Sequence, residues 1–363
     1  MSRIISSALL AASLTLSLPA FADKVVVAHR GASGYLPEHT LASKAMAYAM
    51  GADYLEQDVV MTRDGALMVM HDLTLERTTD VEQRFPERAR EDGHFYVVDF
   101  TLDELRQLRI SEPTVVVDGE TQPQYPTRFP PGQSRFRLHT LAEEIELIQG
   151  LNATTGRDVG LYVELKSPRF HHREGKDLAR AVLETLERYG YDQPDDNVLI
   201  QSFDPRELQR LDGELMPALG VDLPLVQLIA ETEWGETLVE SDTGELVPYD
   251  YDWMTEPGGM ARIADYAEGV GPWVPQVVEL EPATLEPTGL VERAHDAGLV
   301  VHPYTLRADR LPEGVEEFTT LLDAVLFEAG ADGVFTDHPD RVVEFLAEHG
   351  KPDEPEASTA SEA

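Results

Sequence analysis

The sequence predicts a (β/α)₈ barrel, an α/β fold in which parallel strands alternate with helices. From Lys24 onward, short β-branched runs alternate with amphipathic stretches, the pattern of repeated βα units around a parallel sheet. The runs begin apolar and end in polar or ionisable residues, as barrel strands do where they reach an active-site face. A chain of 363 residues is long for one ordinary domain, yet barrels fill such a length as a single unit.

In order, the candidate strands are Lys24–Ala28, Asp53–Val60, Ala66–Met70, Gly160–Leu165, Val198–Ser202, Pro224–Ile229, Gly269–Pro272, Leu299–Thr305 and Gly333–Thr336. Nine runs compete for eight places, and Gly269–Pro272, the shortest, has the least support as a barrel strand. Helices are placed by their ends. Thr40 precedes one that Gly51 stops, Thr101 with Glu104 and Thr140 with Glu143 form capping boxes, and Gly190 and Gly298 stand where helix C-termini fall. Two connections exceed simple loops. Residues 73–137, after the third strand, hold a helix near Leu102–Leu108 and a Pro-rich run from Pro113 to Pro131, and are expected to form a small insertion near the barrel mouth. The connection Glu231–Gly259 carries Trp234, Tyr249, Tyr251 and Trp253, and reads equally as a lid or as a packed surface loop.

Residues 1–22 read as a secretory signal. Arg3 supplies the positive start, Ile4 to Pro19 the apolar stretch, and Ala20-Phe21-Ala22 the small-residue site, so cleavage after Ala22 is expected. Residues 23–349 are then the barrel domain, and 350–363, without large apolar residues, are expected to be a disordered acidic tail. The product is expected in the periplasm. Cysteine is absent, so the fold does not depend on disulfides and carries no Cys-linked lipid. Cleavage removes only Arg3, leaving 28 Lys and Arg against 67 Asp and Glu, and moves the formal charge from −38 to −39. Such a surface repels nucleic acid and anionic membranes, so neither is expected as a partner. An anionic small molecule has to be drawn in by a local positive site. The sequence leaves oligomeric state open, a homodimer included.

The chemistry gathers at the strand ends. The first run gives VVVAHRG, with His29 and Arg30; the second LEQDV, with Glu56 and Asp58; the third MVMHD, with His71 and Asp72; the fourth YVELKS, with Glu164 and Lys166. Residues two apart on a strand share a face, so Glu56 pairs with Asp58, and Glu164 with Lys166. Three carboxylates that converge cannot all stay ionised without compensation, and one hard divalent cation with oxygen ligands is the natural remedy. Carboxylates favour Ca²⁺ or Mg²⁺ over Zn²⁺, and an exported protein points to Ca²⁺. Arg30 offers a fork of donors and Lys166 a mobile charge, so with the cation they form a site for a phosphodiester in an otherwise negative protein. Diester hydrolysis needs a proton removed from the nucleophile and another given to the leaving alkoxide; His29 and His71 suit both roles.

At these residues the sequence resembles the glycerophosphodiester phosphodiesterase family, and more closely its periplasmic bacterial branch. The matching segments are AHRGASGYLPEHT (Ala28–Thr40), YLEQDVVMTRDG (Tyr54–Gly65), VMHD (Val69–Asp72), VELKSP (Val163–Pro168), FHHREGKD (Phe170–Asp177), VHPYT (Val301–Thr305) and FTDHPD (Phe335–Asp340). The resemblance implies a barrel with a small insertion after its third strand. It also implies His29 and His71 as the acid/base pair, Glu56, Asp58 and Glu164 as metal ligands, and Arg30 and Lys166 as phosphate contacts. Glu38 looks like the family's supporting carboxylate. Many shorter members carry Asn where His39 stands and Trp where Tyr304 stands, and the periplasmic branch shares the variants seen here. The implied reaction cuts glycerophosphodiesters to glycerol 3-phosphate and an alcohol. Selectivity is expected on the glycerol side, with Phe203 and Tyr304 as wall residues and the alcohol side loosely recognised. The weighed rivals are a phospholipase-type enzyme on the same barrel, a two-metal hydrolase using the histidines as ligands, and a binding protein that has lost catalysis.

Overall fold

The computed structural model describes residues 24–133, 135–241, 243–280 and 284–349; the expected signal segment and acidic tail lie outside the described residues. The strands, in chain order, are β1 (Val25–Ala28), β2 (Tyr54–Met61), β3 (Leu67–Val69), β4 (Thr114–Val117), β5 (Glu120–Pro123), β6 (Gly160–Leu165), β7 (Val198–Ser202), β8 (Leu225–Ile229), β9 (Leu238–Glu240), β10 (Leu246–Pro248), β11 (Gly269–Pro272), β12 (Val300–Val301) and β13 (Gly333–Thr336). Eight of them form a parallel barrel in the order β12-β11-β8-β7-β6-β2-β1-β13. Backbone bonds draw its two ends together: Asp332 N–H to Val301 O at 3.0 Å, Phe335 N–H to Pro303 O at 2.9 Å and Leu306 N–H to Phe335 O at 2.8 Å.

The supernumerary run is Ala66–Met70, and Gly269–Pro272 is a barrel strand. β2 outruns the barrel and turns back through Thr62-Arg63-Asp64-Gly65, so β3 pairs with it antiparallel, Val59 opposite Val69 and Met61 opposite Leu67. A connection that short cannot make a parallel crossover. Its effect is to bring His71, just past β3, back over the mouth. β11 looks weak because its glycines make room: a Cβ on Gly271 would fall 2.6 Å from Leu228, and one on Gly269 2.8 Å from Val300. β11 nevertheless pairs with β8 along its whole length. The insertion therefore follows the third strand of the chain but the second strand of the barrel.

Period-two alternation sorts the barrel interior. Val27, Tyr162, Val226 and Phe335 form an apolar plug, with the Tyr162 and Phe335 rings edge-on at 4.9 Å. Two residues further along stand His29 just past β1, Glu164 on β6, Leu228 on β8 and Asp337 just past β13. The apolar floor thus gives way to ionisable groups in one step. Residues 73–137 pack a separate apolar cluster, including Leu75, Phe95, Phe100 and Leu105, against the outer sides of Val60, Met68 and Met70.

Behind β2 lies a buried polar knot. Helix Leu41–Met50, capped by Thr40, supplies Lys44, and helix Leu141–Thr155, capped by Thr140, supplies Glu144. Glu144 lies 2.9 Å from the Lys44 ammonium and accepts from Gln57 at 2.9 Å and His139 at 2.6 Å. Lys44 also donates to the Glu56 carbonyl. Burial alone would raise the Glu144 carboxyl, but Lys44 and His139 overcome it and hold the group at about 2. The depressed value means that the pair's stability is present above the ordinary glutamate range and lost as pH falls through it toward 2. Lys44→Met is therefore expected to cost about 3–5 kcal/mol at neutral pH, because it leaves a buried carboxylate without its cation. Denaturant melts should show that deficit shrinking on acidification; a deficit constant from pH 7 to pH 3 would contradict the assignment.

Candidate active site

The strand-end carboxylates converge because of register. β2 and β6 pair in parallel with Asp58 opposite Glu164 and Glu56 opposite Tyr162. All three acids are buried. Burial, with Asp58 beside it, pushes the Glu56 carboxyl well above its ordinary range. Burial and then the Asp58 charge raise Glu164 to about 8, although Lys166 opposes the rise. Asp58 alone of the three is held well below the usual range, Lys166 and the hydrogen bond from His39 outweighing its burial. Asp58 Oδ1 has no hydrogen-bond partner. Two carboxyls still raised beside Arg30 and Lys166, and a carboxylate oxygen without a hydrogen bond, are what a divalent cation would relieve, so the donor set fits one. The ligand atoms of His39, Glu56 and Asp58 lie within 4.8 Å of one another, while Glu164 stands beside them bound to Lys166 Nζ at 2.7 Å. His39, which the sequence marks only as a branch variant, donates from Nε2 to Asp58 Oδ2 over 2.7 Å.

Arg30 turns the chain just past β1 in the left-handed region, at φ 58°. That turn aims its own N–H at Glu56 Oε2, 2.6 Å away. Its guanidinium bonds Glu38 at 3.0 Å and approaches Asp58 at 3.4 Å. Glu38 also accepts from Arg77 at 3.1 Å, and the two arginines hold its carboxyl at about 2 against burial. Glu38 is therefore a bracket beneath Arg30, and the cavity itself is lined by Arg30, Lys166 and their neighbours.

Both histidines are oriented by a carboxylate. His29 Nδ1 meets Asp337 at 2.6 Å, and His71 Nδ1 meets Asp72 at 2.6 Å. Each ring thus keeps Nε2 free of protein partners among the described residues, and both rings line the cavity. Burial and the neighbouring Arg30 lower His29 to about 4, and burial with Arg30 and Lys166 lowers His71. Both carboxylates are tied to the insertion. Arg128 donates to Asp337 at 2.7 Å, joined by Arg307 at 2.7 Å, and Arg77 clasps Asp72. The shared cavity measures about 230 Å³, with Glu56, Glu164, Phe203 and Tyr304 in its walls. The rings of Phe203 and Tyr304 meet edge-on at 5.8 Å.

The sequence model of the glycerophosphoryl diester phosphodiesterase family matches residues 29–341, which spans the whole of this constellation. The chain belongs to that family. It is 51% identical over 327 residues to the glycerophosphodiester phosphodiesterase of Haemophilus influenzae, covering 89% of this chain and 90% of that protein. It is 43% identical over 333 residues to the corresponding protein of Treponema pallidum, covering 91% and 93%. A crystal structure of a Silicibacter pomeroyi protein superposes with a TM-score of 0.62 at 28% identity, covering 91% of this chain and 95% of that one. The chain is thus a phosphodiesterase of this family on a (β/α)₈ barrel.

Within this family member the sequence alone does not reveal Asp337, Asp72, Arg77 or Arg128 as site residues. Asp72 and Asp337 stand in the quoted segments VMHD and FTDHPD, but nothing local says which histidine each will meet. His172, Asp177 and Glu207 form a second set of candidate ligands. There Arg210 already pairs with Glu207 at 2.6 Å and with Asp177, so that set lacks no charge. Ca²⁺ or Mg²⁺ is expected to raise the melting temperature by binding only the folded chain, equivalent to about 2.7 kcal/mol at a hundred times Kd. Combining Glu56→Gln with Asp58→Asn should abolish the rise; an equal rise in that double variant would place the cation elsewhere.

Proposed function

We propose that the chain is an exported, metal-dependent hydrolase that cuts glycerophosphodiesters such as glycerophosphocholine and glycerophosphoethanolamine to sn-glycerol 3-phosphate and an alcohol. The observation that carries the reading is that two carboxylate-oriented histidines face one cavity, with Arg30, Lys166 and the acid cluster on its wall. The leader in residues 1–22 supports a periplasmic setting, and with it the periplasmic branch of the family. No helix among the described residues is long and apolar enough to cross a membrane.

In this mechanism Glu56, Asp58 and Glu164 hold one divalent cation, Ca²⁺ favoured and Mg²⁺ the alternative, which supplies charge neutralisation at the phosphate. Arg30 and Lys166 bind the non-bridging oxygens and stabilise the charge that builds on them. One histidine removes a proton from the attacking oxygen, of water or of the adjacent glycerol hydroxyl. That oxygen bonds to phosphorus as the ester bond to the alcohol breaks, and the other histidine protonates the departing alkoxide. If the glycerol hydroxyl attacks, a cyclic phosphate forms and water opens it afterwards. Burial and the neighbouring cations favour the neutral form of both imidazoles in the free enzyme. An entering phosphate anion offsets Arg30 and Lys166, the cations that depress His71, and so raises that ring toward the protonated form an acid needs. Phe203 and Tyr304 wall the glycerol half of the cavity.

The test is release of glycerol 3-phosphate from glycerophosphocholine by the mature chain recovered from the periplasm, whose first residue is expected to be Asp23. Activity should vanish with chelator and return with one added ion. His29→Ala and His71→Ala should each lower kcat on the order of 10²- to 10⁴-fold. A folded protein inactive with every ion, or full activity in either variant, would contradict the reading.

A further inference from the structure

Resting on that reading, we propose that one turn of the Pro-rich run, Gln124–Arg128, is a strut that ties the support of His71 to the support of His29, with Gln124 and Arg128 as positioning residues for the reaction. Neither residue lines the cavity, and each acts through a neighbour.

On the His71 side, Arg77 clasps Asp72 and uses its remaining amino group on the strut, donating from Nη1 to Gln124 Oε1 at 2.9 Å. The run is anchored at the same residue. Thr114 N–H donates to the Arg77 carbonyl at 3.0 Å, and Gln124 N–H to the Pro113 carbonyl at 2.9 Å. On the His29 side, the Arg128 side chain is only 4% exposed and crosses three segments. It donates to Asp337 Oδ2 at 2.7 Å, to Asp309 at 2.7 and 3.0 Å, and to the Ser33 carbonyl at 3.3 Å. The Ser33 hydroxyl in turn donates to the His29 carbonyl at 2.8 Å. Arg128 therefore holds both the carboxylate behind the His29 ring and the loop that follows its backbone.

Gln124 and Arg128 are joined by a stiff turn. Arg128 N–H closes onto the Tyr125 carbonyl at 3.1 Å, and the Arg128 guanidinium lies over the Tyr125 ring at 3.6 Å. Pro123 and Pro126 fix the backbone φ before and within it. Two supports set on one such turn shift together. That matters because each histidine has to reach its own oxygen on a single phosphate, so the separation of the rings counts as much as the orientation of either. Asp337 also accepts from Arg307 at 2.7 Å, so Arg128 is not its sole cation. What Arg128 alone adds is the tie, through Gln124 and Arg77, to the other histidine.

The experiment measures kcat and KM for glycerophosphocholine in Gln124→Ala, Arg128→Lys and the double variant, with melting temperatures alongside. Lysine keeps the charge beside Asp309 and Asp337 but lacks the fork that spans them. Each single variant should lower kcat, Arg128→Lys by about 10- to 100-fold. KM should stay within about twofold, since no substrate contact is removed. Both changes break one strut, so the double variant should be no slower than the worse single variant. Losses that multiply in the double variant, a loss carried by KM, or an unchanged kcat in either single variant would overturn the strut and leave the phosphodiesterase reading standing. Should Arg128→Lys melt below the assay temperature, kcat of Gln124→Ala decides alone. Wild type that releases no glycerol 3-phosphate would overturn the reading itself.

Discussion

The pairing of β2 with β6 sets Asp58 directly opposite Glu164, with Glu56 one step below, and so confines three acidic side chains to one dry corner of the barrel. Most of the surrounding polar structure answers that confinement. Arg30 gives its backbone N–H to Glu56 and approaches Asp58 with its side chain, Lys166 pairs with Glu164, and Lys44 reaches the Glu56 carbonyl from behind. Even so, Glu56 and Glu164 remain raised and Asp58 Oδ1 remains without a hydrogen bond. A corner in that state is suited to a divalent cation and, through Arg30 and Lys166, presents positive charge to an anion. This reconciles a protein of net charge −38 with a phosphate substrate.

The insertion has a place in the same account. It has its own apolar cluster, and two of its arginines reach the catalytic mouth. Arg77 clasps Asp72 beside His71, and Arg128 bonds Asp337 behind His29. One segment therefore steadies both histidines, although they arrive on different strands. A carboxylate held by Nδ1 of each ring fixes its orientation and leaves the other nitrogen to the cavity.

Much of the site was legible because strands alternate strictly: Glu56 with Asp58, and Glu164 with Lys166, could be placed on shared faces without any structure. What escaped had identifiable reasons. Ala66–Met70 passes for a barrel strand by composition, yet the Asp64-Gly65 turn before it already signals a hairpin. β11 is poor in side chains because Leu228 and Val300 fill the space its glycines leave, so hydrophobicity undercounts it. The Asp337–His29 pair joins residues 308 positions apart, and Arg128–Asp337 joins residues 209 apart. Such pairings are products of barrel closure, which local pattern does not encode.

The most direct measurement is anomalous diffraction from crystals grown with Ca²⁺. The account predicts one strong calcium peak among the side chains of Glu56, Asp58 and Glu164. A peak only at His172, Asp177 and Glu207, or no peak at the strand-end acids under saturating Ca²⁺, would contradict the claim that the β2–β6 register builds the metal corner on which the site depends.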